Sequence, residues 1–167
     1  MSWHVLAATA AAIAFRYRSD TPEKPKVKAF IGACPHSLEM KPMPIEPTWV
    51  LAGDPRARAA SHSTAEDDCA TTGVWECTAG EFRWYFHWDE TVVILEGEVH
   101  VTADDGTQRT LTAGDVGYFK GRTWATWRID NYLKKVAFIR RPFPKPIAML
   151  FRLRNMLRAK TQVGISA

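Results

Sequence analysis

Asp89-Glu90-Thr91-Val92-Val93-Ile94-Leu95-Glu96-Gly97-Glu98-Val99 carries most of the information about the fold of this chain. A carboxylate heads a β-branched run, and Glu96-Gly97 punctuates it as a turn signal. Further on, Ala113-Gly114-Asp115 marks a second turn. Runs of the same kind lie on both sides: Val74-Trp75-Glu76-Cys77, Phe82-Arg83-Trp84-Tyr85-Phe86, Val99-His100-Val101-Thr102, Val116-Gly117-Tyr118-Phe119, Trp124 to Ile129, and Val136 to Ile139. Thr78-Ala79-Gly80 and Asp104-Asp105-Gly106 separate others, and Asp105-Gly106 between alternating runs predicts a hairpin. Short strands at near-regular spacing, with no helical period between them, predict an antiparallel all-β sandwich or barrel.

Outside this region the composition changes. Residues 1–48 read as a short Ala-rich helix, ending near Arg16-Tyr17-Arg18, followed by an arm. Six of the ten prolines fall between residues 20 and 48, so that arm is extended rather than part of a sheet interior. The apolar run Val5 to Phe15 lacks a basic region before it and is too short to span a bilayer. An exported form is the alternative reading. At the other end, residues 142–167 open with Pro142-Phe143-Pro144-Lys145-Pro146, and a helical period follows. Met149, Leu150, Leu153, Met156 and Leu157 share one face, with Arg152, Arg154, Asn155 and Arg158 elsewhere. Such a helix is expected to pack its apolar face on the barrel or across a dimer; docking on an anionic membrane surface is the less favoured expectation.

At 167 residues the chain is long enough to bury a core without staples, and 46% hydrophobic content excludes a disordered chain. Three cysteines with no Cys-x-x-Cys pair argue against a disulfide framework or structural zinc, and point to a reducing, cytoplasmic setting. The formal charge of +4 is uneven. From Asn131 onward there are nine basic and no acidic residues, leaving 13 basic against 18 acidic before it. A pI of about 9.1 therefore reflects one tail and not a nucleic-acid-binding face. No Gly-x-Ser-x-Gly elbow or Gly-rich phosphate loop is present.

From about Trp49 to Pro142 the chain resembles the cupins. It is similar to the single-domain subgroup that includes ureidoglycine aminohydrolase-like and ethanolamine-utilisation-like proteins. Gly73 to Gly80, Asp89-Glu90, Leu95-Glu96-Gly97-Glu98, Gly114-Asp115, and Thr126-Trp127 with Lys135 carry the likeness. The Glu90, six residues, Gly97 spacing matches the end of the family's first motif. The resemblance implies a cupin double-stranded β-helix, or jelly-roll barrel, over residues 49–141, with an N-terminal extended arm and a C-terminal helix.

Cupins usually hold a metal on histidines and this Glu. The resemblance places those histidines near Arg83 and Tyr85 and at Ala125, and the second motif's proline at Lys120, so the usual set is missing here. A guanidinium or a phenol does not replace a neutral imidazole. The family's pattern puts Arg83, Tyr85 and Glu90 inside the barrel, with Glu76 and Lys135 as the subgroup's other charged positions. The expectation is therefore a small-molecule site for an amine or carboxylate, with no cofactor. Glu90 would accept a donor or act as base, Lys135 and Arg83 would hold a carboxylate, and Glu76, Tyr85 and Trp127 would complete the walls. Proton transfer beside a carbonyl or amine is the least demanding chemistry for such groups, and whether any occurs is left open.

Two alternatives stand beside this. One is an aminohydrolase-like or oxygenase-like enzyme with a divalent transition metal on Glu76, His87 and Glu90. The other is a structural or interaction subunit whose internal charges only neutralise one another. His100, between Val99 and Val101, is expected on the exposed face. The Trp and Phe residues are expected mostly in the core, with Trp88 exposed at an interface, and the chain is expected to form a homodimer.

Overall fold

A computed structural model describes residues 27–143 and 145–159. The expected helix over residues 1–19 lies outside them. The strands are β1 (Lys41–Pro42), β2 (Val50–Gly53), β3 (Ala57–Thr64), β4 (Ala70–Phe86), β5 (Asp89–Ala103), β6 (Gln108–Thr112), β7 (Val116–Phe119) and β8 (Thr123–Arg140). One helix, α1 (Lys145–Ala159), follows. All pairings are antiparallel.

Three long strands build the barrel. β8 pairs with β4 on one side and with β5 on the other, each over nearly its whole length. β4 takes β3 along its first half and β2 along its second. β5 takes β7 first and then β6. A long strand that serves two different neighbours in succession bends from one sheet layer into the other, which is how the jelly roll closes.

Two of the four expected turns are bulges instead. Thr78-Ala79-Gly80 does not end a strand; the β4–β8 register slips between Thr78 and Gly80 and the strand continues. Glu96-Gly97 likewise lies within β5, where the register with β8 slips at Ile94/Glu96 and at Gly97/His100. Gly97 has φ +73, and a Cβ there would lie 1.8 Å from the Tyr132 carbonyl oxygen, so glycine allows the two backbones to approach. The other two signals are true turns. Asp105-Gly106 closes the β5–β6 hairpin, with Gly106 N–H on the Ala103 carbonyl at 2.9 Å. Asp115 ties β6 to β7 by accepting the Thr112 N–H at 2.8 Å.

A bulge also changes which residues face inward, because the side-chain period is two. Before the β4 slip, Trp75 and Cys77 point into the core; after it, Phe82 and Phe86 do. Val92 and Ile94, then Val99 and Val101, line the same core from β5, joined by Trp127, Ile129 and Leu133 from β8. Phe86 stacks on Phe119 at 4.4 Å, and Phe119 meets Trp127 at 5.3 Å. Trp127 is only 2% exposed. Burying a ring of that size contributes at most roughly 4–6 kcal/mol.

The described part of the arm crosses the barrel. Ile45 enters the core, Met43 N–H reaches the Ala57 carbonyl at 2.9 Å, and His36 meets Glu96 at 2.9 Å. α1 departs from the expectation of packing on the barrel: Met149, Leu150, Leu153 and Met156 are all at least half exposed.

Candidate functional site

Glu90 at the head of β5 and Lys135 in the middle of β8 meet inside the barrel. Lys135 Nζ donates to Glu90 Oε1 at 2.6 Å, and the two side chains are 5% and 10% exposed. The register explains the meeting. Glu90 is opposite Ile139 and Ile94 is opposite Lys135, so all four point to the interior. Trp75 lies opposite Lys135 on the other side of β8. The ammonium therefore sits between two indoles, 4.6 Å from the Trp127 ring centre and 5.1 Å from that of Trp75. Aromatic faces stabilise a desolvated cation, and the carboxylate balances its charge.

Beside this pair lies a cavity of about 310 Å³, lined among others by Met43, Ala59, Trp75, Trp84, Ala137 and Ile139, with Glu90 and Lys135 as its charged members. That volume is at the lower end for small-molecule sites, and apolar walls with a few polar groups are their usual makeup. Lys135 has three N–H donors, of which one is engaged by Glu90. The indole N–H groups of Trp75 and Trp127 are buried with no acceptor at all. A buried donor without a partner costs about 1–3 kcal/mol. The site thus has unused donors on Lys135 and Trp75 and an unused acceptor oxygen on Glu90.

Of the residues expected here, Glu90 and Lys135 come together and the others do not. Arg83 and Tyr85 face outward, because the β4 bulge shifts the inward positions to Phe82, Trp84 and Phe86. Arg83 lies over the Trp124 ring at 4.6 Å, and Tyr85 packs on Trp124 and His87. Glu76 is buried, but on the opposite face from its neighbour Trp75. It accepts from Tyr132 Oη at 2.9 Å and from Arg58 Nε at 2.7 Å, with Lys134 Nζ at 3.5 Å. Burial opposes ionisation of Glu76, yet the hydrogen bonds from Tyr132 and Arg58 and the charges of Arg58 and Lys134 hold its carboxyl below the ordinary value. Tyr132 is pushed up to about 12, first by burial and then by its bond to that carboxylate. Glu76 is therefore part of an ion-pair network on the outer face of the sheet. Trp127 lies under Lys135 and is not a wall; Trp75 and Trp84 are the aromatic walls.

The alternative metal set is not assembled. His87 is exposed in the turn after β4, and Glu76 and Glu90 occupy opposite faces. Nor do the inward positions beside Glu90 fit the usual cupin metal, since Trp84, Phe86 and Ala125 bring no ligating nitrogen, oxygen or sulfur. Among the described residues, one group has the composition of a ligand set: Glu98, His100 and Asp130 on the outer face, with ligand atoms within 4.8 Å of one another. His100 already uses both ring nitrogens there, on Thr110 Oγ1 at 2.7 Å and Asp130 Oδ2 at 3.1 Å. A groove of about 380 Å³ runs beside it, but its polar groups are those of an open sheet surface. The inner cavity is the stronger site because its charges are desolvated.

The sequence reading missed the cavity walls Trp75 and Trp84 and the partners Arg58, Tyr132 and Lys134. Once the β4 bulge is known, alternation from Cys77 and Phe82 identifies both tryptophans.

Comparison with known proteins agrees with this architecture. Residues 64–137 match the EutQ-like cupin domain model. A protein of unknown function of the DUF861 family from Pseudomonas syringae pv. tomato superposes with a TM-score of 0.57 at 20% identity, over 62% of this chain and 45% of its own. This chain thus spans less than half of that protein. A putative ethanolamine utilization protein Q from Salmonella typhimurium aligns at 22% identity and a TM-score of 0.46, over 51% of this chain and 69% of its own. No curated protein matches. Residues 64–137 of this chain therefore carry an EutQ-like cupin domain, and the chain has the cupin fold.

Proposed function

We propose that the barrel binds a small organic carboxylate, with its acceptor end on Lys135 and its apolar body between Trp75, Trp84 and Ile139. The observation that carries this reading is a desolvated ammonium at an apolar cavity: Lys135 engages Glu90 with one of its three N–H donors, and Trp75, a cavity wall, has a buried indole N–H without an acceptor. Among the residues lining the cavity Lys135 is the only cation, so it is the group that would hold the ligand's carboxylate, shared with Glu90. In this reading the site selects for shape and an acceptor group, and Glu90 is placed to take a proton from a bound molecule if a reaction follows.

A thermal-shift panel of matched pairs tests this, such as benzoate against benzylamine and indole-3-acetate against tryptamine. Carboxylates are expected to raise Tm in a concentration-dependent way; Lys135→Met is expected to abolish the shift, and Glu90→Gln, which frees the ammonium, to keep it. Equal shifts from both members of each pair, or shifts that survive in Lys135→Met, would refute the reading.

A further inference from the structure

α1 leaves its apolar side uncovered. Met149, Leu150, Leu153 and Met156 are 68%, 65%, 50% and 60% exposed. At 3.6 residues per turn these four fall within about 120° of arc. Arg152 borders that arc beside Met156, and Arg154 lies past its other end, between Leu150 and the less exposed Ile147 and Phe151; both arginines are exposed. Arg154 lies over the Phe151 ring at 4.8 Å. No acidic residue occurs from Asn131 onward.

We propose that α1 lies flat on an anionic lipid surface, with its apolar arc among the acyl chains and its arginines at the headgroup phosphates. Charge complementarity selects this occupant. A planar negative surface meets both basic borders at once while the stripe between them enters the apolar layer. A second copy of the chain is a poorer match. Its exposed apolar sheet face, Val116, Tyr118 and Phe138, is bordered by Lys120 and by an Arg140 that pairs with Asp89 at 3.9 Å, so it offers the helix's arginines no unpaired negative charge there. Spanning is excluded for this helix, because no helix among the described residues is long and apolar enough to cross a membrane.

The test uses the full-length protein and sedimentation with vesicles of phosphatidylcholine, with and without about one third phosphatidylserine. Pelleting is expected only with the anionic vesicles, and it should weaken as salt is added. Arg152→Gln and Arg154→Gln should each lower partitioning about fivefold. Leu150→Glu/Leu153→Glu should abolish it while leaving the thermal unfolding of the exposed-helix variant close to that of the parent. Equal pelleting on neutral vesicles, or pelleting untouched by these substitutions, overturns the proposal. So does an absence of pelleting accompanied by a dimer in sedimentation equilibrium that the Leu150→Glu/Leu153→Glu variant dissociates, which would assign the face to a second copy.

Discussion

Lys135→Met isolates the role of the buried charge pair. Methionine keeps most of the volume and the apolar stem between the two indoles while removing the ammonium. Glu90 would then be left with its carboxylate 10% exposed and no cation at 2.6 Å. Removing one member of a buried pair costs about 3–5 kcal/mol, because the remaining charge stays desolvated. For a chain of this size each kcal/mol shifts Tm by about 2–4 °C, so a fall of about 6–20 °C is expected. Glu90→Gln in the same background should recover at least half of that loss, since two neutral groups no longer need each other. Urea unfolding followed by circular dichroism measures both, with the m-value checking that the transition is unchanged in kind. A loss below about 1 kcal/mol for Lys135→Met, with the double variant equal to the sum of the singles, would show the pair to be effectively solvated.

Other consequences follow from the same geometry. Glu76 has a carboxyl held below its ordinary value of 4.5, so it contributes stability that is present above that pH and lost as pH falls through the lowered folded value. Glu76→Gln should therefore flatten the acid limb of a Tm-against-pH curve below about pH 4.5; an unchanged limb would contradict the network. Tyr132, raised from 10.0 to about 12, contributes stability that is full below pH 10 and lost towards pH 12. Tyr132→Phe should remove that alkaline loss. Gly97→Ala should destabilise by roughly 3 kcal/mol or more, read by urea titration, because a positive φ and a backbone clash coincide there. Cys77, buried with its thiol pushed up to about 12, should resist iodoacetamide in the folded protein, while exposed Cys34 reacts.

The barrel was legible because its signals are local: β-branched runs, Asp105-Gly106, and the Glu90 to Gly97 spacing. What the sequence hid was phase. Thr78-Ala79-Gly80 and Glu96-Gly97 look like turns in a linear reading, yet in the fold they are bulges inside continuous strands. The β4 bulge reverses alternation, which moved Arg83 and Tyr85 out of the barrel and brought Trp84 in. Glu76 misleads for a related reason. A buried carboxylate in a strand suggests the interior, but here Arg58, Tyr132 and Lys134 bury it on the outer face. Glu90 and Lys135 were found because their strands run from the motif to the pocket without an intervening slip that separates them. The unpartnered indole N–H of Trp75 had no sequence signal, since it depends on what lies near the nitrogen in the fold.

Binding of a carboxylate at the Lys135 end of the cavity is tested most directly by the ¹⁵N–¹H spectrum of the tryptophan indoles during titration with benzoate. The Nε1–H signal of Trp75, a cavity wall, is expected to move, while that of exposed Trp88 stays in place. An unmoved Trp75 signal at benzoate concentrations that raise Tm would contradict the proposal, because the ligand would then be bound elsewhere.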